Sequence, residues 1–264
     1  MVGKSLVSRR DVKARGVRQK TLPQVFRRYI KEGKRLMLFV TGDTHAGIDI
    51  SKLKSKNFPA CKTLTKADYV IITGDFGFIW DNQNEDSYWL KWFQEKKFTT
   101  LFVDGNHENF DLLNSYPIDE WNGGKVHRIN DSVLHLMRGQ GFKVEGVKLF
   151  TFGGAKSKGI ELRKEHVSWW KEEMPSAEEY KEGLINLEKH NWNVDYIITH
   201  TCTSSALNKV RSLCGKGKVN EINKYFYVVE ERVSEYSGAA KPQFRRFGNR
   251  LSGTGNRAKL NLLA

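Results

Sequence analysis

Cysteine is scarce in this chain and cannot staple it. Cys61, Cys202 and Cys214 are odd in number and form no close pair among 264 residues. They read as reduced thiols, which excludes a disulfide scaffold and points to a reducing compartment. Long apolar runs are missing too. No stretch approaches the roughly 20 apolar residues that a membrane-spanning helix needs. The first residues also lack the apolar core of a secretory signal, so a cytoplasmic protein with no membrane association is expected. Hydrophobic residues at 39%, with 12% aromatics, still suffice for one sizeable globular domain.

Negative charge is lacking at both ends. Residues 1–35 carry 12 Lys/Arg against Asp11 and Glu32, a net of +10, and residues 236–264 carry six Lys/Arg and no acid. Residues 36–235 hold 26 basic and 28 acidic side chains, so the formal +14 of the chain belongs to its flanks. A basic flank attracts polyanions through counterion release, which predicts weak, non-specific nucleic-acid binding through the termini. A merely solvated tail explains the same charge. Residues 1–34 show little periodicity beyond LPQVFRRYI and are expected to be a flexible extension with a helical turn or two. Their Arg-rich, acid-poor composition also resembles an organelle transit peptide. Residues 35–235 are expected to be the folded domain, and the Gly-, Arg- and Asn-rich residues 236–264 a disordered tail.

What is present in the centre is a rhythm. LMLFV (36–40), ADYVIITGDFG (67–77) and TTLFVDGNHEN (99–109) are short apolar runs that end in Gly, Asp, Asn or His. Runs of that kind suit strands buried on both faces. Between them, the lysine-rich residues 48–66 are expected to be helical. Residues 85–97 place Tyr88, Trp89, Trp92 and Phe93 at helical spacing. Strands alternating with helices predict an α/β sheet whose ligands bind beyond the carboxyl ends of the strands. Residues 125–154 are short Gly-punctuated runs without helical interludes, and they predict an antiparallel meander. Ser176 and Glu179 have the spacing of a capping box at the start of a helix over 175–190. VDYIITHT (194–201) repeats the pattern of a strand ending in a ligand-type residue, and residues 203–213 and 219–232 are expected to be helices.

Four strand ends therefore stand together: Asp43-Thr-His45, Gly74-Asp75, Gly105-Asn106-His107-Glu108 and His200. Carboxylate, amide and imidazole donors of this kind suit a hard-to-borderline metal. Taken singly, Asp43 could cap a helix near Gly47, His45 could be a surface histidine and His200 a core one. The ordered set GDTHAG, TGDFG, DGNHEN and ITHT resembles the calcineurin-like metallophosphoesterase superfamily. FGGAKS (152–157), SWWKEEMPS (168–176) and DYIITHTC (195–202) extend the resemblance to a bacterial and phage-type subgroup, over about residues 35–232. The resemblance implies a four-layer α/β/β/α sandwich that hydrolyses a phosphomonoester or phosphodiester with two divalent cations. Manganese is expected, with iron, zinc or magnesium as alternatives.

Position by position, the resemblance implies that Asp43 and His45 bind the first metal. Asp75 bridges both, and Asn106 and His200 bind the second. His107 stands near the substrate, to protonate the leaving oxygen or steady the phosphoryl group. Two cations roughly 3.5–4 Å apart activate a water and clamp both ends of an in-line displacement at phosphorus. Arg163 is a candidate phosphate contact by subgroup resemblance, with a solvated charge as the other reading. Trp169 and Trp170 fit a cleft wall or a core pair. His127, His135, His166 and His190 match no ligand motif and are read as structural, and Cys202 as packing.

One expected motif is missing. The family closes with GHxH, which gives one imidazole to each metal, yet His200 is the last histidine here. The expected place lies just after Arg232, where the composition turns into EYSGAAKPQFRRFGNRLSGTG. A frameshift or recombined reading frame is the expectation this raises, and the absence of Gly-His-x-His in every downstream frame of the encoding DNA would sink it. The rival to an enzyme is a catalytically degenerate scaffold that binds phosphate groups or nucleic acid.

Overall fold

The computed structural model describes residues 36–201, together with the backbone strands Ile30–Lys31, Lys34–Arg35 and Asn261–Leu262. Cys202, Cys214 and the helices expected over 203–213 and 219–232 lie outside the described residues, as does most of both flanks. Within the flanks, β1 (Ile30–Lys31) and β2 (Lys34–Arg35) pair antiparallel.

The domain begins with β3 (Leu38–Thr41), β4 (Tyr69–Thr73), α1 (Asn84–Gln94) and β5 (Thr99–Val103). Next come the single turn α2 (Phe110–Leu113), then β6 (Ile118–Trp121), β7 (Gly124–Asn130) and β8 (Val133–Leu136). β9 (Gln140–Val144), β10 (Val147–Phe152), α3 (Ala177–Lys189) and β11 (Tyr196–Thr199) follow, and β12 is Asn261–Leu262. The larger sheet runs β12-β3-β4-β5-β8-β7-β6, and the smaller runs β11-β10-β9. The first five strands of the larger sheet are parallel, and β7 and β6 close it antiparallel.

Strand periodicity builds the layers. Leu38, Val40, Ile71, Leu101, Val103 and Leu134 point one way and meet Phe142, Val144, Leu149 and Ile198 of the smaller sheet. Their alternates Phe39, Val70, Ile72 and Phe102 point the other way, into a core with Phe58, Phe76, Phe93 and Phe98. Phe93 comes from α1, so this face is covered by that helix and its neighbouring turns. Phe150 and Phe152, on the outer face of the smaller sheet, pack with Leu187 of α3. Helix, sheet, sheet and helix are thus stacked in four layers, as the resemblance led one to expect.

Three local expectations change. Residues 48–66 contain no α-helix, only the 3-10 turns Ile50–Leu53 and Pro59–Lys62. Pro59 lacks the N–H an α-helix interior needs, and three side chains (Ile50, Leu53 and Phe58) are anchored in the core instead. The expected meander is divided between two sheets: β8 pairs in parallel with β5, whereas β9 and β10 form the smaller sheet. The tail shows no period in sequence, yet its Asn261 and Leu262 pair in parallel with Phe39 and Val40. No helix of the described residues is long and apolar enough to cross a membrane.

Candidate metal centre

The strand ends are fastened to one another before any side chain acts. Asp43 N–H donates to the Gly74 carbonyl at 3.3 Å, and His45 N–H to the Asp75 carbonyl at 2.9 Å. The buried Thr44 adds its hydroxyl, which donates to the Phe76 carbonyl at 2.9 Å. Asp43, His45 and Asp75 all adopt left-handed backbone, with φ of 49°, 42° and 50°. Such conformations are uncommon for non-glycine residues and persist only where the surroundings impose them. The turns that follow β3 and β4 therefore aim their side chains by mutual constraint.

Asp43, His45 and Asp75 bring ligand-type atoms within 4.8 Å of one another. His45 Nε2 lies 3.3 Å from Asp75 Oδ2. His200, just past β11 in the smaller sheet, places Nδ1 3.6 Å from Asp43 Oδ1 and Nε2 3.6 Å from Asp75 Oδ1. Its Nδ1 is 2.8 Å from the Thr73 carbonyl, which can only accept, so Nδ1 donates there and Nε2 is the ring nitrogen turned toward Asp75. A backbone carbonyl fixing one ring nitrogen while the other is left for a cation is the usual arrangement of a ligating histidine. The donor set fits a divalent cation: carboxylate oxygens and imidazole nitrogens converge, with Asp43 largely exposed and Asp75 buried.

Asn106 and His107 reach the same place from β5. Their backbone N–H groups donate to Asp75 Oδ1 at 3.0 and 2.9 Å, and the His107 ring lies 5.3 Å from that of His45. Burial pushes the His107 imidazole below the ordinary histidine value; Asp75 opposes this, while His45, Arg163 and His200 add to it. Glycine is required twice. A Cβ at Gly105 would overlap the Asp75 carboxylate, and one at Gly74, where φ is +90°, would overlap the His200 ring. Arg163 stands at the edge of the group, with Nη1 3.5 Å from Ser157 Oγ.

Two acids beneath the site have roles that motif reasoning missed. Glu108 is 1% exposed, and its carboxyl accepts from the N–H groups of Phe76 (2.8 Å), Gly77 (3.3 Å) and Gly105 (3.4 Å). Burial pushes it up to about 8, with the Asp75 and Asp104 charges adding to the rise and the backbone N–H groups opposing it. Asp104 meets Arg138 Nε and Nη2 at 2.8 and 2.6 Å and His135 Nε2 at 3.1 Å. Burial alone would raise its carboxyl, but Arg138 and His135 hold it well below the usual carboxylate range. The sequence signal was present, since both acids flank the Asn-His pair in DGNHE.

The histidines read as structural stay away from the ligand cluster. His127 and His135 are buried and share a 3.0 Å contact between their Nδ1 atoms. His166 pairs with Asp111 at 3.0 Å, and His190 caps α3. Of the tryptophan pair, Trp170 is a core residue at 2% exposure, its Nε1 donating to Asp111 at 2.7 Å. Trp169 is half-buried.

An α/β/β/α sandwich that gathers carboxylates and imidazoles at its strand ends is the framework of a metal-dependent hydrolase. The chain belongs to the calcineurin-like phosphoesterase family, whose model matches residues 36–226. Members of that family hydrolyse phosphoesters and typically use two divalent metals. Comparisons with curated proteins and with solved structures give no match.

Proposed function

We propose that this chain hydrolyses a phosphomonoester or phosphodiester in the cleft at the carboxyl ends of β3, β4 and β5, beside His200. Asp43, His45 and Asp75 would hold one divalent cation, and Asp75, Asn106 and His200 a second. Manganese is the first candidate, and iron, zinc and magnesium also suit oxygen and imidazole donors. The observation that carries the reading is the convergence of Asp43, His45 and Asp75, two strands' worth of donors, within 4.8 Å. When bound, such a pair of ions lowers the pKa of a water and offsets the charge of the phosphoryl group.

The chain's own residues do the rest. Asp75 receives two backbone N–H groups on one oxygen, which keeps its carboxylate in a single orientation. Asn106 adds an oxygen without adding charge, so it does not repel an incoming phosphate. His107, whose imidazole burial pushes below the ordinary histidine value, would offer a hydrogen bond to the phosphoryl group or a path for a proton to the leaving oxygen. Arg163 would add one positive charge at the rim. The folded unit is read as residues 35–235 with basic appendages, acting in the cytoplasm. Weak nucleic-acid binding through 1–34 and 236–264 would show a steep salt dependence that disappears on their removal.

No Gly-His-x-His stands in the residues just after Arg232, where the resemblance places it, and on that ground weak metal binding and slow turnover are proposed. Loss of a supporting partner alone typically costs about 10- to 100-fold. Calorimetric titration with Mn2+ and a chromogenic ester assay test the reading. Slow, manganese-dependent turnover should vanish in Asp75→Asn and fall by about 100-fold or more in His107→Ala. Metal binding with no turnover of mono- or diesters would favour the non-catalytic phosphate-binding scaffold, the reading that the missing histidine pair supports. Failure to bind any of Mn2+, Fe2+, Zn2+ and Mg2+ would overturn the metal-dependent hydrolase.

A further inference from the structure

An asparagine ligand has a problem that aspartate does not share: its two ends have the same outline but opposite chemistry. The amide oxygen can face a cation and the NH2 group cannot, so something must decide which end looks into the cleft. Here Asn106 Nδ2 donates to Ser157 Oγ at 3.1 Å, so the amide nitrogen is committed away from the role of ligand. A hydroxyl could in principle donate to the amide oxygen instead. The surroundings of Ser157 oppose that. Arg163 Nη1, which can only donate, approaches the same Oγ at 3.5 Å, so both neighbours offer it hydrogens.

Ser157 is itself held in place by buried contacts. It is 4% exposed, and its backbone N–H donates to Glu173 Oε1 at 2.6 Å. Glu173 is 2% exposed and stands in a short 3-10 turn whose backbone accepts from Ala155 N–H and Arg138. None of these residues is among the metal donors.

We propose that Ser157 is a positioning residue that sets the polarity of the Asn106 amide, and through it the affinity of the second cation, with Glu173 fixing Ser157 from behind. The proposal rests on reading Asn106 as a ligand, and its test separates the two. Mn2+ is titrated calorimetrically into the metal-free full-length chain, Ser157→Ala, Asn106→Ala and the double variant, and the metal-free melting temperature of each is measured. Alanine keeps the N–H to Glu173 but loses the hydroxyl's own hydrogen bond to that carboxylate, so the metal-free melting temperature of Ser157→Ala gives the structural cost separately from the Mn2+ affinity. Ser157→Ala should bind one of two Mn2+ ions about 10-fold or more less tightly, the size of effect seen when a ligand's supporting partner is lost. Because Ser157 acts through Asn106, its removal should cost nothing further in the Asn106→Ala background.

Parent-like binding of both ions by Ser157→Ala would overturn the proposal while leaving Asn106 as a ligand. An undiminished effect of Ser157→Ala on top of Asn106→Ala would do the same, because it would mark a general structural role. Unchanged Mn2+ stoichiometry and affinity in Asn106→Ala would overturn the ligand assignment and the proposal together.

Discussion

Glu108 shows how much of the site is held by a side chain that touches none of the ligand-type atoms. Its carboxyl gathers three backbone N–H groups, from Phe76, Gly77 and Gly105, that would otherwise lie unsatisfied where β4 and β5 end. An orphaned buried donor costs roughly 1–3 kcal/mol, so Glu108→Ala should destabilise the metal-free protein by about 2–4 kcal/mol in urea unfolding. A loss below about 1 kcal/mol would mean that water replaces the carboxyl with little penalty. The convergence of Asp43, His45 and Asp75 was legible because ligand chemistry restricts residue type and their order in the chain is distinctive, and the same order put forward Asn106, His107 and His200 as candidates. Glu108, Asp104 and Ser157 were not legible as supports. Any acceptor of suitable reach could do their work, so residue type alone does not single them out.

Among the elements, α3 was the most legible, because its start is written locally. The Ser176 hydroxyl accepts from Glu179 N–H at 3.1 Å, and the Glu179 carboxylate accepts from Ser176 N–H at 2.7 Å. Ser176→Ala should cost about 1 kcal/mol, read from the urea midpoint at unchanged slope. The same variant should leave Mn2+ affinity at the parent value, since α3 covers the outer face of the smaller sheet, away from the ligand-type residues. α1 was legible too, through the spacing of its aromatic side chains. The segment 48–66 misled because its lysines suit a helix, whereas the positions of Ile50, Leu53 and Phe58 are dictated by a core that lies elsewhere in the chain. β8 and β9 read alike as consecutive short strands. Their separation into two sheets comes from pairing with β5 in one case and β10 in the other, partners that local composition does not name.

Across the whole molecule, one contribution to the acid side of the stability curve comes from the buried contacts of His127 in β7 with His135 in β8, which in turn meets Asp104 just past β5. Burial pushes the His127 imidazole down to about 4, with His135 adding to the shift and Asp104 opposing it. The unfolded chain takes up a proton near the ordinary histidine value of about 6.5 and the folded chain does not. The His127 contribution to folding stability should therefore fall as pH drops from about 6.5 to about 4, and stay constant below that. Glu108, raised to about 8, contributes with the opposite sign as pH drops from about 8, so the His127 slope is read as the difference between the parent and His127→Gln in urea unfolding at stepped pH. An unchanged slope in that variant would assign the acid sensitivity to other groups. By itself the sequence determined the strand rhythm, the identity and order of the ligand-type residues and the capping of α3. Each of these depends on residue type or on spacing within one segment. Only the tertiary structure decided which sheet each strand joined, that His200 of the smaller sheet meets Asp43 and Asp75 of the larger, and which buried acids hold the loops. Those outcomes depend on contacts between segments distant in the chain, such as His200 and Thr73, 127 residues apart, and no local pattern encodes such a distance. LFVTGDTHAG carries its two ligand-type side chains in its own letters, but the left-handed turn that aims them is imposed by the neighbouring strand.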